Sequence, residues 1–191
     1  MRLLIICFLT VLPLLGIAQN VASSEVQIAQ ATMAAPEASR EAARVLGYKP
    51  SGKLTVLRKG SNELICLARD PAKEGFSVAC YHKDLEPFMA RGRKLRADGK
   101  EYQEIFDIRE EEVKSGKLKL PENTTLMVMT GKEDPATREV TDTYLRYVVY
   151  IPFATAQTTG LSDKPLAPGL PWLMDAGTHR AHIMVTPPRD K

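Results

Sequence analysis

Histidine and cysteine are scarce in this chain, three of each among 191 residues, and tryptophan occurs once. None of these side chains stands at the spacing of a known metal motif, so no metal site and no cofactor are expected. There is no G-x-S-x-G elbow, no H-E-x-x-H and no glycine-rich loop that could cradle a phosphate, which leaves the commonest hydrolytic and nucleotide chemistries without their residues. An excess of one charge is lacking too. Lys plus Arg number 26 against 23 Asp plus Glu, a net charge of +3, and so even a balance sets up no global field for nucleic acid. Nucleic acid is therefore not an expected partner. Beyond residue 18 no second apolar run of eighteen residues exists, and no stable membrane anchor is expected.

What is present begins at the N-terminus. Arg2 precedes an apolar run from Leu3 to Leu15, followed by Gly16-Ile17-Ala18 and then Gln19. A positive start, a short apolar run and a small-residue cleavage site make 1–18 a signal peptide cut near Ala18, too short and poorly flanked to span a bilayer. The body is expected to be periplasmic or secreted. Cys7 leaves with the leader, whereas Cys66 and Cys80 remain, and a lone pair in an oxidising compartment reads as a disulfide.

The pair can be tested from inside the sequence. ELICLAR and FSVACYH are short apolar runs separated by DPAKEG, a hairpin signal. A turn at that point places residues whose numbers sum to 146 opposite one another, so Cys66 faces Cys80. Strand alternation then puts Leu64, Cys66, Ala68, Val78, Cys80 and His82 on one face, and Ile65, Leu67, Ala79 and Tyr81 on the other. With AARVLGY and KLTVLRK ahead of them, the four runs are expected to form an antiparallel meander, because such short connections cannot make parallel crossovers.

Residues 19–40 read as an N-terminal helix and linker. Val26, Ile28, Ala29 and Met33 recur at helical spacing after Ser23, and Pro36 ends the run. Residues 41–188 read as a single α+β domain: an antiparallel sheet, made of the meander plus about three C-terminal strands, covered by helices. Two helices follow the meander, the first from its cap Asp84 to Gly99 and the second from Glu101 to Gly116, each with one apolar face, that of the second including Tyr102. The first carries Arg91, Arg93, Lys94 and Arg96, with Lys100 just beyond it, and the second is acidic. Phosphates or lipid headgroups could meet this basic cluster, but mutual pairing of the two helices is the stronger reading.

The most distinctive stretch is LPWLMDAGTHRAHIMV. It brings Trp172, Asp175, His179 and His182 together at the start of a strand, and with Arg146 from the neighbouring Tyr-rich strand these are the candidate ligand-binding residues. On a strand, a separation of three sends His179 and His182 to opposite faces and makes a joint chelate awkward. The connection from Thr155 to Trp172, with three prolines and two glycines, is long enough to be a functional loop. Asn123-Thr124-Thr125 is a glycosylation sequon only in a host with that machinery.

The strings LICLARD, FSVACYHKDLEPFMARGRKLRADGK and PWLMDAGTHRAHIMV resemble those of an uncharacterised group of exported bacterial proteins. The resemblance implies a bacterial envelope setting and no particular activity, cofactor or catalytic residue. The reading reached from sequence is an exported, noncatalytic periplasmic binding or structural protein, its partner a small molecule or an envelope component. The alternatives are a periplasmic hydrolase or metal-assisted enzyme using His179 and His182, and a surface binder working through the basic helix.

Overall fold

The computed structural model describes residues 21–189, and the signal peptide expected over 1–18 lies outside them. The chain runs through α1 (Ser24–Thr32), α2 (Glu37–Arg40), β1 (Arg44–Tyr48), β2 (Leu54–Arg58), β3 (Leu64–Leu67) and β4 (Phe76–His82). A 3-10 turn (Lys83–Leu85) leads into α3 (Glu86–Ala97) and α4 (Tyr102–Lys114), followed by β5 (Thr124–Glu133), β6 (Val140–Tyr150), α5 (Ala156–Thr159), β7 (Trp172–Met174) and β8 (His182–Val185). The eight strands among the described residues join one open sheet, ordered β2-β1-β3-β4-β5-β6-β8-β7 and antiparallel at every pairing but one. This is the expected α+β class. Among the described residues no helix is long and apolar enough to cross a membrane.

The β3–β4 hairpin has the register read from sequence: Leu64 pairs with His82, Ile65 with Tyr81, Cys66 with Cys80 and Leu67 with Ala79. Cys66 and Cys80 form a disulfide with their Cα atoms 4.0 Å apart, and neither is exposed. The two faces are as expected. Leu64, Cys66, Ala68, Val78 and Cys80 join a core layer with Ala31, Ala34 and Ala35, while Ile65, Leu67, Ala79 and Tyr81 join a second layer with Leu85, Phe88 and Tyr150. Sheet burial on both sides follows from hairpin strands that carry apolar residues on both faces.

The meander is not what forms. β1 lies between β2 and β3, and it pairs antiparallel with β2 and parallel with β3. The short connection still joins antiparallel strands, since the five residues between β2 and β3 link strands of opposite direction, but these consecutive strands are not neighbours in the sheet. The connection folds back across the start of β1, where Ser61 and Asn62 both donate backbone N–H groups to the Ala42 carbonyl, at 2.8 and 3.2 Å. Gly60 makes this possible: a Cβ there would stand 2.2 Å from the Arg44 nitrogen and 2.8 Å from the Ala42 oxygen.

The helix α1 starts as expected, with the Ser23 hydroxyl accepting from Val26 N–H at 3.3 Å. Its buried face differs from the one expected. Gln27, Gln30, Ala31 and Thr32 are buried, with Ile28 and Met33 at the rim and Ala29 exposed. The helix packs so close to the disulfide that the Cys80 sulfur lies 3.3 Å from the Ala31 carbonyl oxygen, with the small side chains of Ala31, Ala34 and Ala35 buried in the same layer. Gln27 ties it to the sheet by donating to the Tyr48 carbonyl (2.9 Å) and accepting from the Tyr48 N–H (2.7 Å).

On the opposite face, α3 buries Phe88, Gly92 and Leu95, and α4 buries Ile105 and Glu112. The 3-10 turn precedes α3, with the His82 ring, rather than the expected Asp84 side chain, accepting from the Asp84 N–H at 3.3 Å. Arg91 and Glu112 join the two helices through paired hydrogen bonds of 2.8 and 2.7 Å. Arg93 binds Glu86, Lys94 binds Asp98 and Lys100 binds Glu104. The basic cluster is thus spent on internal pairs, within and between the helices, with Arg96 the member outside them.

Candidate functional site

The five residues singled out from sequence fall into two places, plus one apart. Asp175, His179 and His182 gather around the turn before β8, where His179 meets the helical layer. Trp172 lines a cleft at the far end of its strand. Arg146, in β6 opposite Val128, shares the helix-covered face of the sheet with Val148 and Tyr150, and its buried Nε has no hydrogen-bond partner.

His179 lies outside any strand, because β8 begins only at His182. Residues 175–178 turn first: Asp175 adopts φ 54° and Gly177 φ 77°, and the Thr178 hydroxyl and N–H both donate to the Asp175 carbonyl, at 2.8 and 3.2 Å. Alternation therefore does not separate the two histidines. His179 enters between the rings of Phe88 (centroids 5.6 Å apart) and Phe106 (4.7 Å), and His182 packs on Tyr150 at 5.4 Å, itself 6.0 Å from Phe88.

His179 is completely buried. Its Nδ1 lies 3.1 Å from a Glu110 carboxylate oxygen, which assigns the proton to Nδ1 and leaves Nε2 an acceptor with no partner. His182 donates from Nδ1 to the Arg180 carbonyl at 2.6 Å. Arg109 lies over the Phe88 ring, 4.0 Å from its centroid, and burial, then the nearby Arg180 charge, push its pKa down to about 10. It reaches that place across Gly92, where a Cβ would approach its terminal nitrogen to 2.9 Å. Arg180 contacts Asp175 at 3.4 Å and donates to the Tyr102 hydroxyl at 2.6 Å. Tyr102 is otherwise exposed, contrary to its expected inward place.

A histidine oriented by a carboxylate is half of a nucleophile-activating pair. The other half is missing, since no hydroxyl or thiol among the described residues bonds Nε2 and the ring is walled by two phenylalanines. Nor does any group of three or more His, Cys, Asp or Glu among the described residues have the arrangement to hold a metal ion. The cluster works as a polar latch joining the turn before β8 to α3 and α4. Burial keeps both histidines below their ordinary pKa, outweighing the pull of Glu110 on His179 and of the Arg180 carbonyl on His182. The unfolded chain takes up these protons at higher pH than the folded one, so stability is full above about pH 6.5 and falls as the pH drops below it. Urea midpoints measured from pH 7.5 to 5 should decline in the wild type and decline less in the double variant His179→Gln, His182→Gln; parallel curves would refute the latch's part in this dependence.

Trp172 belongs to a different feature. The connection from Thr155 to Trp172 folds back beside β8, held by a 2.7 Å hydrogen bond from Gly169 N–H to the Thr186 carbonyl. Between it and the C-terminal segment lies an open cleft of about 620 Å³. Its walls are Pro165, Pro168 and Pro187, the side chains of Leu166 and Leu170, and the rings of Tyr144 and Trp172. Leu166 is 75% exposed and Leu170 50%. The Tyr144 hydroxyl donates to the Pro187 carbonyl at 2.6 Å and Arg189 stacks on the Tyr144 ring, 4.4 Å from its centroid. A second cleft of the same volume, between the start of α3 and the segment after α4, contains Lys83, Asp84 and Lys119 and has no aromatic wall.

Comparison with protein-family models, with curated proteins and with solved structures finds no match. The function is accordingly argued from the chain's own geometry. The sequence pointed to the cleft only through Trp172 and the proline-rich loop; Tyr144, Pro187 and Arg189 carry no local motif and join it through strand order alone. Glu110, Arg109, Phe88 and Phe106 were equally invisible as partners of His179, sitting about seventy to ninety residues away in sequence where no pattern of period two or 3.6 reaches.

Proposed function

We propose that the protein is an exported, noncatalytic binding component of the bacterial periplasm, and that it binds an apolar ligand in the Trp172 cleft. The observation that carries this reading is the cleft itself: a concavity within the roughly 300–1,000 Å³ of small-molecule sites, with aromatic, leucine and proline walls and few polar groups. Two leucines held open to water by a loop lined with prolines are otherwise a cost without a return. The buried disulfide fits an extracytoplasmic protein, and the signal-like residues 1–18, with the resemblance to exported bacterial proteins, support the same setting. The enclosed His179 ring weighs against the hydrolase reading.

Trp172 is the only tryptophan, so its fluorescence reports on the cleft without labelling. A neutral apolar dye, N-phenyl-1-naphthylamine, should quench it saturably. Charging the walls with Leu166→Asp and Leu170→Asp should weaken binding about tenfold or more, the equivalent of losing one buried leucine contact. Quenching that never saturates, or that the double variant leaves unchanged, would sink the proposal.

A further inference from the structure

The charge lining of this cleft is more specific than its apolar walls. Among the described residues, Arg189 is the only charged one that lines it, and no carboxylate does. The guanidinium is set against the Tyr144 ring, and that ring is in turn held by the hydrogen bond from its hydroxyl to the Pro187 carbonyl. A cation on an aromatic face is held in place while its N–H edge stays available. The acid whose field reaches it, Asp142, is already bound to Lys132 at 3.1 Å. No ion pair joins Arg189 to a carboxylate among the described residues.

Resting on the binding role just proposed, we infer that the ligand is a single-chain amphiphile with one carboxylate, its aliphatic chain against Leu166, Leu170 and Trp172 and its head on Arg189. A planar guanidinium offers two parallel N–H donors that match one carboxylate. A phosphate monoester carries nearly two charges, more than Arg189 alone can neutralise. A cationic head would meet Arg189 directly and be repelled.

The test uses Trp172 fluorescence with dodecanoate, dodecanol, dodecyl phosphate and dodecyltrimethylammonium, each below its micellar concentration at pH 8. Dodecanoate should bind about tenfold or more tightly than dodecanol, the scale of a charge-assisted hydrogen bond, and the ammonium amphiphile should bind weakest. Arg189→Gln should bring the ratio of dodecanoate to dodecanol affinity close to one. Equal affinities in the wild type, or an unchanged ratio in Arg189→Gln, would overturn the carboxylate inference while saturable dodecanol binding upheld the cleft. Tighter binding of dodecyl phosphate would overturn the choice of carboxylate. If no amphiphile quenched Trp172, both readings would fall together.

Discussion

Replacing both cysteines, Cys66→Ala with Cys80→Ala, should lower the unfolding free energy by about 3 kcal/mol, the chain-entropy value for a closed loop of about fifteen residues. Typical domains are stable by only about 5–15 kcal/mol, so the loss would be a large share of the total. The sulfurs lie in the core layer beneath α1, with the Cys80 sulfur against the Ala31 carbonyl, and no reductant reaches them in the native state. Native protein should therefore resist millimolar dithiothreitol until urea opens the helix from the sheet. Urea denaturation of the double variant, together with thiol counting in native and partly denatured wild type, checks both statements. A loss under 1 kcal/mol, or rapid reduction without denaturant, would show that the crosslink neither constrains the chain nor lies beneath the helix.

Gly60→Ala should be comparably severe, about 3 kcal/mol at the upper end of what overpacking costs. Its added carbon would fall 2.2 Å from one backbone atom of Arg44 and 2.7 Å from another, and backbone cannot turn aside as a flexible side chain can. The connection would have to lift off β1, breaking the hydrogen bonds from Ser61 and Asn62 to the Ala42 carbonyl. Lys59→Ala, at the exposed neighbouring position, should change stability by no more than about 0.5 kcal/mol. Equal urea midpoints for the two variants would mean that the crossing is loose and that the strand order does not depend on it.

The two positions differ in how far sequence could foresee them. Cys66 and Cys80 lie across a tight hairpin, and a turn plus an alternation of period two is enough to set their register. The helices α3 and α4 were also legible, because stopping residues and apolar spacing act within a few residues; they end at Gly99 and Gly116 as expected. Gly60 looked like any turn glycine. Its role depends on β1 being inserted between β2 and β3, and no local pattern says which strands become neighbours. The buried face of α1 differs from its apolar pattern for a related reason: hydrophobicity favours Val26, Ile28, Ala29 and Met33, whereas close approach to the sheet selects small alanines and two glutamines that answer backbone groups.

By itself, then, the amino-acid order determined what neighbours along the chain can settle: the hairpin register with its disulfide, the stretches that become helices, the α+β class and the prominence of the segment around Trp172 and His179. Only tertiary structure decided that β1 and β3 run parallel, that His179 is walled in by Phe88 and Phe106 instead of facing solvent, and that Tyr144 and Arg189 complete a cleft with Trp172. The division has a physical cause. Turns, caps and side-chain periodicity act over a few residues, while burial and ligand-sized concavities arise from segments tens of residues apart, whose meeting is set by strand order and by how closely backbones can approach.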